Sequence, residues 1–430
     1  MSVVTRNRRQ KLKPQSSVEK QGLSSTTPGD VGTNLSPGDD PVVINRLVQQ
    51  AAYFSLFSIP NPASPSTGIP LIPFIPQLAI GFTVHENLHR FEVKVRGPSP
   101  VCGFRISQAI GTEQAAAVNM QMTPVHNNYQ AGEGRVPLPQ ILYPFLSQRF
   151  VPLNGSFEFF DSEKSGFTAF GAGRTFPANV AGTPQTRLAA VIDINQGTGE
   201  LAGLSGTGIV IGDIEPPGGF HFNVMFRIMD PGGKLQTSEP LPPLQSPSDP
   251  EPGTVFMPFL SEPDPDHPLT VGPSANGKHL YVRIVERLRL VDLSFDTGPP
   301  GDLRSKTTTG AIVGRHSMTL ILDQSLQTGV IPGFSKGGEF SFFDEEGLSI
   351  GGFKADLFEA RVFPTSLPGL PTPIYRLGGF ALPTDGTGQF KDPVGVVSAN
   401  GAYSLATGAV SMLYMVRLSD PVGVFTSPAL

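Results

Sequence analysis

Short runs of apolar and β-branched residues, separated by glycine and proline, make up most of the chain. Charged and apolar side chains alternate over residues 287–289, and the apolar runs at 317–322 and 409–418 have the length of single strands. Alternation with a period of two, and short apolar runs between turn residues, are typical of β-strands. With 49 glycines and 44 prolines between the runs, this pattern predicts an all-β protein.

The clearest helical pattern lies near the N-terminus. Residues 41–53 follow Asp40, begin with a proline and space their apolar residues at roughly helical intervals. An acidic residue before the first turn and a proline within it are helix start signals. We therefore expect one short helix here, inside an N-terminal arm at 1–76 that begins with a polar, disordered segment.

The chain contains two similar copies of one sequence. Residues 155–161 (GSFEFFD) return as 338–344 (GEFSFFD), and residues 197–201 (GTGEL) return as 386–390 (GTGQF). The separations, 338 − 155 = 183 and 386 − 197 = 189 residues, differ little, as expected when a copied domain changes slightly in its loops. Solenoid repeats are much shorter, about 20–50 residues, so the repeat indicates a duplicated domain.

Composition sets the predicted boundaries of the two copies. The first copy is expected at 77–231 and the second at 277–430, each about 155 residues long, which is a normal size for one domain. Residues 232–276 are dense in proline, glycine, serine and aspartate and predict an extended linker.

Charge and cysteine content narrow the function classes. The net charge is −5, and basic residues are concentrated only over residues 6–13, so no nucleic-acid partner is predicted. No uncharged apolar stretch reaches about 18 residues, which predicts no membrane-spanning helix. The N-terminus lacks the apolar core of a secretory signal, and Cys102 has no partner for an intrachain disulfide. These features predict a cytoplasmic protein.

A glycine-rich segment near the end of each copy resembles a known family. Residues 385–395 (DGTGQFKDPVG), followed by 401–408 (GAYSLATG), look like the late hairpin of the allene oxide cyclase and dirigent barrels, and residues 196–206 are similar. Glycine in such a turn supplies positive φ and makes room where strands cross. The strand at 280–287 also resembles the first strand of the cyclases. The resemblance implies two tandem antiparallel β-barrels after the N-terminal arm.

The chain departs from this family at the catalytic pair. Allene oxide cyclases carry a glutamate and an asparagine, two residues apart, on the cavity side of their first strand. The corresponding residues are Arg283 and Val285 in the second copy, and Thr83 and His85 in the first. Because neither copy keeps the pair, allene oxide cyclisation itself is not expected. Related bacterial barrels cyclise polyketides, and a cyclase that works by confining its substrate needs few catalytic side chains.

These features predict a cofactor-free intramolecular cyclase or isomerase that binds an apolar polyene, polyketide or oxylipin-like substrate. His85 and Arg283 are the first catalytic candidates, because a polar group in an apolar cavity can polarise a carbonyl. Glu86 and Glu286, at matching positions of the two copies, are the second candidates. For these glutamates the structural alternative is an ion pair with an arginine of a neighbouring strand.

Another class of function stays open beside catalysis. The chain is then a non-catalytic hydrophobic-ligand-binding or scaffold protein, an interpretation that phenylalanine-filled interiors in both copies would favour. The sequence identifies neither the substrate nor the functional copy, and it leaves a homo-oligomeric state open.

Residues 85–89 (HENLH) match the zinc-protease pattern H-E-x-x-H. The pattern binds zinc on a helix, where residues four apart face the same metal ion. The flanking residues favour a strand, in which His85 and His89 lie about 13 Å apart. The matching place in the second copy has no histidine. We therefore expect no metal ion, and because the sequence contains neither a P-loop nor a Rossmann fingerprint, we expect no nucleotide cofactor.

Overall fold

The computed structural model describes residues 41–63, 66–70, 79–96, 104–124, 130–131, 134–135, 148–180, 183–215, 219–298, 303–323, 330–365 and 373–426. The segment before residue 41, which the sequence predicts to be disordered, lies outside the described residues.

The described residues contain a single α-helix and 22 strands. The helix is α1 (Pro41–Gln49), and a 3-10 turn covers Gly199–Leu201. The strands of the first half are β1 (Ala51–Pro60), β2 (Thr67–Pro70), β3 (Ala79–Arg96), β4 (Arg105–Pro124), β5 (Gln130–Ala131), β6 (Gly134–Arg135), β7 (Gln148–Phe159), β8 (Gly166–Val180), β9 (Thr183–Thr198), β10 (Ser205–Glu215) and β11 (Gly219–Met229). Those of the second half are β12 (Thr254–Pro263), β13 (Thr270–Pro273), β14 (His279–Asp296), β15 (Arg304–Asp323), β16 (Ile331–Phe343), β17 (Ser349–Lys354), β18 (Leu357–Thr365), β19 (Ile374–Ala381), β20 (Thr384–Gly388), β21 (Gly395–Tyr403) and β22 (Val410–Ser419). The predicted all-β class is confirmed.

Antiparallel pairing closes eight strands of the first half into a ring. The order of hydrogen-bonded neighbours is β1, β3, β4, β7, β8, β9, β10 and β11, and β11 pairs back with β1. One apolar cluster takes side chains from all eight of these strands. This cluster fills the space that the ring of strands encloses, and we call this space the interior.

The strands of the second half pair in the same order. Neighbours run from β12 through β14, β15, β16, β18, β19, β21 and β22, and β22 pairs with β12. A ladder contact between Val93 of β3 and Leu293 of β14 joins the halves into one large antiparallel sheet. The assignment to two separate tandem barrels of the allene oxide cyclase and dirigent type stays a prediction.

Each half begins earlier in the chain than the sequence predicts. β1 lies inside the predicted N-terminal arm, and β12 lies inside the predicted linker. The predicted helix stops at Gln49, since the chain continues as β1 from Ala51. Pro60 and Pro263 end these two strands, at positions where the missing N–H of proline is tolerated.

The two halves pack against each other through the outer faces of several strands. Arg376 of β19 donates to the Asp193 carboxylate of β9 at 2.6 Å, and the amide of Asn400 in β21 donates to the Thr207 carbonyl of β10 at 2.8 Å. The second apolar core also includes Phe57 and other residues of the first half. The interface is therefore buried, apolar and cross-linked by polar contacts.

Candidate functional site

Alternation along β3 and β14 places one glutamate of each half in the interior. Glu86 lies between Val84 and Leu88, which are buried interior residues of the first half. Glu286 lies in the same way between buried Ile284 and Leu288 in the second half.

The two glutamates are structural equivalents. Glu86 pairs with Pro60, the last residue of β1, and Glu286 pairs with Pro263, the last residue of β12. In both strands a β-bulge follows two residues later, after Leu88 and after Leu288. The matching of the two first strands that the sequence suggests is therefore confirmed.

Three side chains hydrogen-bond the Glu286 carboxyl group. Ser261 donates to Oε1 at 2.5 Å, Tyr414 donates to Oε2 at 2.5 Å, and the His316 Nδ1 lies 3.2 Å from Oε2. The Ser261 hydroxyl also accepts from the Met412 backbone amide at 2.9 Å. Every one of these side chains is buried. Both carboxyl oxygens are satisfied, as a buried acidic group requires.

Aromatic rings enclose this group. The ring centres of His316 and Phe340 lie 4.3 Å apart, and those of Tyr414 and Phe340 lie 5.3 Å apart. Burial raises the pKa of Tyr414 well above its usual value of 10, and the neighbouring Glu286 charge and hydrogen bond raise it further. Tyr414 therefore stays protonated and remains a hydrogen-bond donor to Glu286.

Glu86 has fewer partners than Glu286. Ser66 donates to its Oε1 at 2.7 Å, but Oε2 has no hydrogen-bond partner of normal geometry among the described residues. The Glu86 side chain is only 2% exposed. Burial raises the pKa of Glu86 to about 7, against smaller opposing effects of the Ser66 hydroxyl and the Asn61 backbone amide. A carboxyl group with this pKa can gain or lose a proton near neutral pH.

Substitution at two interior positions explains the difference. Val118 pairs with Glu86 where His316 pairs with Glu286. Val224 likewise takes the place of Tyr414, since each pairs with the matching residue of the first strand in its half. The first half therefore lacks both side chains that complete the Glu286 network, and smaller side chains stand in their place.

The first catalytic candidates lie on the outer face of their strands. His85 is partly buried beside Glu86, and its backbone amide donates to the Ser66 hydroxyl at 2.9 Å. Arg283 is exposed and pairs with Thr270 and Thr319 of the neighbouring strands. Since alternate residues of a strand point to opposite faces, neither side chain shares the interior with a glutamate.

The segment that matches the zinc-protease pattern is part of β3. The helix that this pattern requires is therefore not formed. His85 and His89 are about 13 Å apart along the strand, and the His89 Nδ1 lies 3.1 Å from the Gly111 carbonyl oxygen. Among the described residues no group of three or more histidine, cysteine, aspartate or glutamate side chains is placed to hold a metal ion.

The partners of Glu286 are not predicted from the sequence. Tyr414 lies 128 residues and His316 lies 30 residues further along the chain, so no local spacing connects them. The alternation along β15 does indicate the position of His316. This residue lies two residues before buried Met318 and so falls on the apolar side of the strand.

No known protein family, curated protein or solved structure matches this chain. In the part of the chain that the structure describes, α1 is too short to cross a membrane.

Proposed function

We propose that the first half is a cofactor-free isomerase or cyclase in which Glu86 is the acid–base group. The observation that supports this most directly is a buried carboxyl group whose Oε2 has no hydrogen-bond partner of normal geometry within the described segments and whose pKa is about 7. Perturbed carboxyl groups of this kind concentrate at functional sites, because acid–base catalysis is most efficient when the pKa lies near the working pH.

The proposed reaction needs one group, Glu86, that gives up a proton and then takes one back. Protonated Glu86 donates its proton to an oxygen of the substrate, which breaks or polarises a bond at the neighbouring carbon. The carboxylate then takes a proton from carbon, so that Glu86 is restored and the product has the same composition as the substrate. Confinement in an apolar interior supplies the remaining catalysis by holding the reacting atoms together.

The surroundings favour an apolar substrate with one oxygen function. Val84, Leu88 and Val118 are buried next to Glu86, and such a surface binds hydrocarbon. A polyene, polyketide or oxylipin-like compound fits this description. We further propose that each half is a barrel of the allene oxide cyclase and dirigent type, and that the protein works in the cytoplasm.

The second half is the structural copy in this proposal. The Glu286 carboxyl has no open oxygen for a substrate, since Ser261, His316 and Tyr414 occupy both. A fully satisfied buried network stabilises one arrangement of a core. The duplication thus separates a reactive glutamate from a structural one.

A non-catalytic hydrophobic-ligand-binding or scaffold protein is the second candidate. Phenylalanine rings touch in the interiors of both halves, with ring centres 5.0 Å apart for Phe157 and Phe226 and 5.0 Å apart for Phe340 and Phe353. Rings packed this closely favour a filled core. If the protein has this binding or scaffold function, Glu86 is a buried carboxyl group that takes part in no reaction.

Metabolite comparison in the source organism separates the two candidates. We expect a strain that lacks the gene to accumulate a compound of the same mass as a missing native product, because the reaction rearranges bonds without adding atoms. The full-length protein should restore the product, and Glu86→Gln should reduce it at least tenfold. Acid–base catalysis typically contributes about 10²–10⁴ in rate, and the variant keeps the contribution of confinement.

Glu286→Gln is the matched control, because it alters the equivalent residue of the other half. It should restore the product in proportion to the amount of folded protein, and thermal unfolding would verify that the variant is folded. Unchanged metabolites in the deletion strain would support the binding or scaffold function instead. If Glu86→Gln restores the product as well as the wild type does, Glu86 is not the acid–base group.

A further inference from the structure

A groove of about 670 Å³ lies over the outer face of β7, β8 and β9, next to the turn that joins β7 to β8. Its volume is within the range of small-molecule binding sites, roughly 300–1,000 Å³. Ser156, Thr168 and Gln196 line it, together with the exposed ring of Phe160. These side chains lie on the opposite face of the strands from Glu86, and the groove is also bordered by Phe157, Phe159 and Phe167 of the interior cluster.

The groove combines a flat apolar surface with uncharged hydrogen-bonding groups. Phe160 is 48% exposed, although most other phenylalanines of the first half are buried. The Thr168 hydroxyl donates to the Gln196 side-chain oxygen at 3.0 Å, which fixes the amide. The Asp161 carboxylate that also lines the groove is buried, and the exposed charges at the groove are those of Glu158 and Lys164. Their charges are opposite, so the site favours a neutral ligand.

The turn beside the groove is held in place by hydrogen bonds. The Asp161 carboxylate accepts from the Ser165 backbone amide at 2.7 Å and from its hydroxyl at 2.6 Å. The Phe160 backbone amide donates to the Ala115 carbonyl at 2.9 Å. The groove is therefore formed before a ligand arrives, which lowers the cost of ordering it on binding.

The corresponding face of the second half has different chemistry. Ser156 and Thr168 are paired across β7 and β8, and Glu339 and Lys354 are paired at the equivalent place across β16 and β17. Lys354 forms an ion pair with Asp385 at 3.0 Å, in place of the Thr168–Gln196 hydrogen bond. Hydroxyl and amide groups of the first half are thus replaced by charged groups.

We propose that the groove of the first half binds a neutral oligosaccharide. The apolar face of one sugar ring stacks on Phe160, and its hydroxyl groups exchange hydrogen bonds with Ser156, Thr168 and Gln196. Hydroxyl and amide side chains both donate and accept, as sugar hydroxyls do, and an aromatic ring provides apolar contact area. Phe170, which is 49% exposed and lies two residues after Thr168 on the same face, extends the surface for a further sugar unit.

Affinity electrophoresis of the full-length protein tests this proposal. Native gels would contain soluble starch, hydroxyethylcellulose, xylan or galactomannan as the probe. We expect at least one of these polysaccharides to retard the protein. Phe160→Ala and Gln196→Ala should each weaken this retardation, with about a tenfold loss of affinity for the aromatic substitution. Both residues are exposed, and circular dichroism would verify the fold of each variant.

Phe343→Ala is the matched control, because Phe343 follows Phe342 as Phe160 follows Phe159 in the two copies. Retardation should be the same for this variant and the wild type. Migration unaffected by all four polysaccharides would overturn the proposal. Retardation that survives Phe160→Ala, or that Phe343→Ala reduces equally, would overturn it as well.

Discussion

Two glutamates at one position of a duplicated fold differ in what surrounds their carboxyl groups. Glu286 receives hydrogen bonds from a serine and a tyrosine and lies against a histidine, whereas the one side-chain donor to Glu86 among the described residues is Ser66. The strand, the register and the burial are the same in both halves. The chemistry of each glutamate is therefore decided by two neighbouring side chains, and not by the fold.

Stability should fall with rising pH because of Glu86. Its pKa is about 7 in the folded protein and near 4.5 without burial, so the folded chain keeps a proton that the unfolded chain releases. This contribution is fully present below pH 4.5 and is lost as the pH rises through 7, which amounts to about 3 kcal/mol. Urea unfolding of the wild type and Glu86→Gln at pH 5 and pH 8 measures it.

The glutamine variant carries no titrating proton at this position. Its free energy of unfolding, relative to the wild type, should therefore increase between the two pH values. A difference that is the same at pH 5 and pH 8 would contradict the raised pKa of Glu86.

Tyr414→Phe should destabilise the protein, because it removes a donor from the buried Glu286 carboxyl. Leaving a buried acceptor less satisfied costs about 1–3 kcal/mol. Tyr403→Phe is the control, since the Tyr403 hydroxyl is buried and has no hydrogen-bond partner in the part of the chain that the structure describes. That variant should be as stable as the wild type or more stable. Equal loss in both variants, measured by urea unfolding, would show that the hydrogen bond to Glu286 makes no particular contribution to stability.

At the scale of the strand, sequence reasoning found β3 but not its orientation. The segment is a strand as its flanks indicate, but the resemblance suggested Thr83 and His85 as the cavity-facing pair. Val84 and Leu88 are the apolar residues, and a period of two places Glu86 on their face. The phase of the apolar residues is thus a better guide to the interior than a distant family likeness.

β1 shows why other elements escaped prediction. Its first eight residues are all buried, because one face lies in the interior and the other lies against the second half. A strand buried on both faces has no alternation of polar and apolar residues, so it is not separable from a buried helix by pattern. The all-β class and the duplication are visible in the sequence, whereas this double burial depends on the packing of the two halves.

At the scale of the whole molecule, the halves behave as one packed body. Gly378 of β19 faces Val191 of β9, and a Cβ atom added at Gly378 meets the Val191 side chain at less than contact distance. Valine is stiff about χ1 and cannot easily move aside. The close approach of the two halves therefore requires glycine at this position.

Gly378→Ala should lower the thermal stability of both halves together. Overpacking of a core typically costs about 1–3 kcal/mol, and calorimetry should show a single transition that moves to lower temperature. Val191→Ala in the same chain should recover most of the loss. Gly272→Ala, which places a methyl group in open space, is the control. Two transitions, of which only one moves, would indicate halves that unfold independently.

The shared core also limits how the protein can be taken apart in the laboratory. A fragment that ends between the halves would leave Phe57 and Phe91 in water, because their rings pack against Phe256 of the second half. A fragment of the second half would leave Arg376 without its Asp193 partner. We therefore expect no minimal working domain from truncation, and the roles proposed for the two glutamates are testable only by point substitution in the intact chain.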